Sequence, residues 1–138
     1  MIEKVGGIAK RNPSYLFWGR KIMTSILLSV KKLLGLPEDY TQFDTDIIIH
    51  INTAFSILTQ LGVGPEDGFS ISDASTEWSE YFSDSKELEM VRTYVYLKVR
   101  LVFDPPQNSF VTTSIEKTIS ELEWRLNVAS DTGKEGNK

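Results

Sequence analysis

The stretch Lys86-Glu-Leu-Glu-Met-Val-Arg-Thr-Tyr-Val-Tyr-Leu-Lys-Val-Arg-Leu-Val-Phe103 reads two ways, and the choice between them decides the fold. Val95, Leu97, Val99, Leu101 and Phe103 alternate with Tyr96, Lys98 and Arg100, the period of a half-buried strand, while Leu88, Val91, Val95, Val99 and Val102 recur at the spacing of a helix face. The β-branched and aromatic content favours the strand. Length favours the helix, because an average strand runs only about 5–6 residues and no breaker interrupts this stretch. Asp84, with Glu87 three residues on, is a capping-box-like start. The segment is assigned to a helix, and the chain to the all-α class.

Downstream, Asp104-Pro105-Pro106 is a stiff corner that no helix crosses. The last helix follows it. Ile115, Ile119, Leu122, Leu126 and Ala129 alternate by four and three, Thr113 with Glu116 suggests its capping box, and Lys117, Glu121 and Arg125 project opposite. Residues 130–138 are small and polar, the composition of a flexible tail. Upstream, a first helix over residues 22–34 places Ile26, Leu27, Val30, Leu33 and Leu34 on one side, ends with Lys31 and Lys32 at the negative end of the dipole, and stops at Gly35. A second runs from an N-cap at Asp44 or Asp46 to Leu61, striped by Ile47, Ile51, Ala54, Phe55, Leu58 and Leu61. Residues 75–82 form a short helix carrying Trp78, Tyr81 and Phe82. The expected architecture is a small bundle of four main helices plus one short helix, with the helical domain at 23–129 and an N-terminal extension at 1–22.

The 138 residues leave room for one core, and 41% apolar with 25% charged content is ordinary for a globular domain. With no cysteine, thiolate catalysis, cysteine-ligated zinc and iron-sulfur clusters are excluded. Charge is distributed unevenly. Residues 1–34 carry seven Lys/Arg against one acid, and residues 35–138 eight against eighteen. The acids concentrate between Glu66 and Glu89, a surface that repels nucleic acid. The apolar run Ile22–Val30 is too short for a membrane span and lacks a cleavage site, so neither secretion nor a span is expected. The basic first 34 residues leave a membrane-surface role as one class of function.

Residues for chemistry are sparse. His50 is the only histidine and lies among isoleucines. No Gly-x-Ser-x-Gly motif positions a nucleophile, and Gly62-Val63-Gly64 lacks the Lys-Ser/Thr of a phosphate loop. The acid pairs Asp44/Asp46 and Glu121/Glu123 fit a helix start and a solvated face. No catalytic residue, cofactor or metal is expected. What remains is surplus aromatic surface: Trp78, Tyr81, Phe82 and the off-stripe Trp124 are candidate interface anchors.

The ordered set Leu-Leu-Gly-Leu (33–36), Ile-Asn-Thr-Ala-Phe (51–55), Leu-Gly-Val-Gly (61–64), Tyr-Val-Tyr-Leu-Lys-Val-Arg-Leu-Val-Phe-Asp-Pro-Pro (94–106) and Glu-Leu-Glu-Trp-Arg-Leu-Asn (121–127) resembles the head-tail connector proteins of long-tailed bacteriophages and prophages. The resemblance covers about residues 23–129. It implies a small helical structural protein with no enzymatic activity, a ring-forming subunit in a dodecamer-like homo-oligomer beneath the portal protein. It also implies a tail-side connector or stopper protein as neighbour, DNA passing through the channel without sequence-specific binding, no membrane, and a place in the virion neck after assembly in the host cytoplasm. On this reading Glu66, Asp67, Glu77 and Glu80 face the channel or a neighbouring copy, Asp104, Pro105 and Pro106 form a structural corner, and the tail orders on docking to the portal. The alternative is a non-viral helical adaptor or regulatory bundle that binds another protein.

Overall fold

A computed structural model describes residues 24–82 and 85–136. Among these the chain forms five helices and no strand: α1 (Ile26–Leu33), α2 (Asp44–Gln60), the single-turn α3 (Trp78–Tyr81), α4 (Ser85–Phe103) and α5 (Ser109–Gly136). The ambiguous stretch is helical. Val91, Tyr94, Val95 and Val99 are wholly buried at helical spacing, and the alternating set is split, with Leu97 and Leu101 half-buried on the side of α4 that meets α5. Asp84, the expected cap residue, and the extension at 1–22 lie outside the described residues.

The partner of that valine face is α2, whose Ile47, Ile51, Ala54, Phe55 and Leu58 are all without exposed surface. Phe43 at the start of α2 meets Phe103 at the end of α4, ring centroids 5.4 Å apart, so the two helices run antiparallel. Lys31 at the end of α1 pairs with Asp44 at the start of α2, and Asn127 and Ser130 near the end of α5 donate to the carbonyls of Leu61 and Gly62 just past α2. These contacts fix an up-down-up-down order of α1, α2, α4 and α5. One end of the bundle holds the Asp104-Pro105-Pro106 corner. The other holds α3 and the long connection 62–77.

Several local details differ from the sequence reading. Phe43, not an aspartate, is the N-cap of α2, and Asp44 and Asp46 lie in the first turn, where carboxylates still meet the positive end of the dipole. Asp44 turns instead to Lys31, whose ammonium lies 2.9 Å from its Oδ1 and donates at 3.0 Å to the carbonyl of Glu38. Lys31 is therefore buried between α1, the connecting loop and α2. Leu33, assigned to the core stripe, is exposed, because Gly35 at φ 81° ends α1 just beyond it. α5 starts before the Thr113/Glu116 box, since the Asn108 side chain accepts from the Phe110 N–H at 2.8 Å. It also continues as helix through Gly136, where a polar tail from residue 130 was expected; the Ser130 bond to Gly62 carries the helix past the end of its apolar stripe.

The largest correction concerns the aromatics. Trp78 and Tyr81, expected as interface anchors, are core residues, each 4% exposed, and Phe82 is half-buried beside them. The connection 62–77 folds over α2 and supplies the extra wall that a four-helix count leaves out. Asn52 pins it, donating to the Ile71 carbonyl at 3.0 Å and accepting from the Ile71 N–H at 2.8 Å. Phe69 from this connection lies 5.0 Å from both Phe55 and Tyr81. The polar tips find partners, as buried ones must: Trp78 Nε1 donates to Ser29 Oγ at 2.9 Å and the Tyr81 hydroxyl to the Val63 carbonyl at 3.3 Å.

Two expectations follow for stability. Gly64 sits at φ 84°, and a Cβ there would fall 2.5 Å from Tyr81 Cε2, so Gly64→Ala combines left-handed strain with overpacking. It should cost about 2–4 kcal/mol by denaturant titration, against about 1 kcal/mol for Gly35→Ala, whose Cβ meets nothing. Burial first, and then the Glu123 carboxylate 3.2 Å away, raise the Tyr94 phenol above its ordinary range. A raised phenol keeps its proton in the fold while the unfolded chain loses it near pH 10, so stability is full below about pH 10 and falls above it. Tyr94→Phe should lessen that alkaline fall in a chemical-denaturation series from pH 8 to 11, the share of the buried Tyr81 phenol remaining.

Candidate functional site

The up-down order sorts the surface into two unlike ends. At the corner end stand Val102 near the end of α4 and Phe110 and Val111 in the first turn of α5, with Tyr40 of the α1–α2 connection and Leu33. Phe110 is 83% and Val102 62% exposed. Sequence reasoning passed over both α5 residues. The signal was present in the phase: Phe110 stands nine residues before the buried Ile119, half a turn out of step with the stripe. The Asn108 cap then makes that phase real by starting the helix ahead of Phe110.

Beside this end, Leu97, Phe110, Val111, Ser114, Ile115 and Thr118 line an open groove of about 380 Å³ between α4 and α5. Further along α5, Trp124 is 66% exposed and Val128 lies one turn beyond it, also exposed. Trp124 stands two positions from both Leu122 and Leu126, which turns it away from α4. Of the four aromatics singled out from sequence, it alone presents its ring to solvent.

The opposite end is acidic. Glu66, Asp67, Glu77 and Glu80 are all exposed there. They do not do the same thing. Glu80 accepts from the Glu77 backbone N–H at 2.7 Å, closing the first turn of α3, and Glu77 accepts from Thr24 Oγ1 at 3.5 Å. Among the described residues no hydrogen bond or ion pair engages the side chains of Glu66 and Asp67. Gly64, packed on Tyr81, brings their turn beside α3.

The corner itself is built from backbone. The Asp104 N–H closes α4 on the Arg100 carbonyl at 2.9 Å, and Thr112 Oγ1 reaches the Pro106 and Asn108 carbonyls at 3.3 Å each. With two prolines between two long helices, it fixes the direction in which α5 leaves α4.

His50 is half-buried on α2, and no group of three or more His, Asp or Glu side chains converges among the described residues. No helix among them is long and apolar enough to cross a membrane. The corner end offers rings and aliphatic side chains for packing against another protein, set among the exposed carboxylates of Asp39, Asp46 and Asp104, and the α3 end offers carboxylates.

A family model described as phage connector protein matches residues 26–133, which takes in all of α1 to α4 and nearly all of α5. Neither a curated protein nor a solved structure matches the chain. A match over that much of the sequence, on a helical bundle with an exposed apolar end, places this chain in the phage connector protein family, whose role is structural.

Proposed function

We propose that the chain is the subunit of a head-tail connector: copies assemble as a ring beneath the portal protein, in a dodecamer-like arrangement, and extend the DNA channel toward a tail-side connector or stopper protein. Its place is the neck of the virion, after assembly in the host cytoplasm. The family match over residues 26–133 carries the reading. The exposed apolar groups at the corner end, Val102, Phe110 and Val111, give it a physical basis, because clustered apolar side chains on a soluble protein mark a protein-docking surface.

The acidic end suits the channel. DNA affinity comes mainly from cations on phosphates, and a carboxylate-rich wall lets a duplex pass without adhering. Of the four acids proposed to border it, Glu66 and Asp67 are the cleaner probes, since Glu77 and Glu80 also hold local structure.

Electron microscopy of the full chain mixed with its purified cognate portal should show ring density on one face of the portal. Subunits that stay in solution while binding some other protein would replace the connector reading with the adaptor one. The double variant Glu66→Lys/Asp67→Lys should slow DNA ejection from assembled particles while shifting unfolding stability by less than about 0.5 kcal/mol. Ejection at the wild-type rate would remove these two acids from the channel.

A further inference from the structure

Among the described residues, α5 carries a projecting indole that packs in no socket and, one helix segment away, borders an open apolar groove. We propose that these are the two halves of one contact: Trp124 of one copy seats in the groove of the next, between Leu97, Val111, Ser114, Ile115 and Thr118, and the copies link head to tail. The inference rests on the self-assembly reading above and deepens it by naming the surfaces that meet.

Three observations carry it. First, the fit cannot be made within one chain. Ser114 and Trp124 are ten residues apart on one helix, about 15 Å along the axis, so the Trp124 of a copy cannot reach its own groove. Second, size and character match. The groove is apolar, about 380 Å³ and open at the surface, and Phe110 forms an exposed rim on which a ring can close. A buried tryptophan removes about 150–250 Å² from water, and tryptophans fill such pockets at interface hot spots more than most residue types. Third, the flanking charges are complementary. Lys98 adjoins Leu97, and Lys117 adjoins Thr118. Asp131 follows Trp124 by two turns on the same face, and none of the three has an ion-pair partner among the described residues. Opposite charges beside an apolar contact fix its register.

The contact uses different patches on the two copies. It is therefore heterologous, and repeated copies close into a ring where the rotation allows.

The absence of cysteine makes a direct test available. Ser114→Cys places a thiol in the groove and Val128→Cys one beside the indole. Within a copy these positions are about 21 Å apart, beyond a short bis-maleimide. The full chain carrying both substitutions, bound to purified portal and treated with that reagent, should give a ladder of cross-linked multimers rising one subunit at a time. Either substitution alone should give none. Adding Trp124→Ala should abolish the ladder and weaken self-association roughly 30-fold or more by sedimentation, with the helical circular dichroism unchanged. Portal-bound subunits that give no ladder, or one that stops at dimers, or one that Trp124→Ala leaves intact, would overturn the contact and leave the connector reading standing. Subunits that fail to bind the portal would overturn the connector reading instead. Cross-linking of the concentrated protein alone then decides the contact: a ladder upholds it, and its absence removes it.

Discussion

The valine face of α4 against the isoleucine-phenylalanine face of α2 is the constraint on which the rest of the molecule depends. Ile47, Ile51, Phe55 and Leu58 on one side, and Val91, Val95 and Val99 on the other, have no exposed surface. Each such side chain contributes about 1.5–3 kcal/mol relative to leaving it in water, far more than the few tenths by which valine disfavours a helix. Packing therefore overrides the strand-like alternation of 94–103. Once α2 and α4 are antiparallel, α1 and α5 have only the remaining flanks to occupy.

Legibility followed from how local the determinants are. The stripes on α2 and α5, the stop at Gly35, the corner at Asp104-Pro105-Pro106 and the outward Trp124 are set by residues within a turn or two of each other, and periodicity exposes them. The fates of Trp78, Tyr81 and Lys31 are not local. The two rings are buried because Asn52, on another helix, pins a connection that brings Phe69 over them. Lys31 is buried because Asp44 and the Glu38 carbonyl, seven or more residues away, converge on its ammonium. The start of α5 turns on a competition that periodicity does not register: Asn108 and Thr113 both have cap-forming side chains, and the one nearer the prolines caps the helix. That five-residue difference is what hid Phe110 and Val111 as surface groups.

The two ends of the bundle present different surfaces. The family is structural, and this antiparallel frame carries Val102, Phe110 and Val111 at one end and Glu66, Asp67, Glu77 and Glu80 at the other. Short polar links such as Tyr94 to Glu123 and Asn127 to Leu61 hold α5 in register with the helices behind it. A surface carried on one long braced helix keeps its shape whether or not a neighbour is present.

An even number of long helices in up-down order has a practical corollary. The start of α1 and the end of α5 lie on the same side of the bundle, the side that holds α3, and both inter-helix turns of the other side join long helices. A reporter grafted at the proline bend or into the α1–α2 connection would therefore obstruct the oily end, and one grafted into the 62–77 connection would spare it.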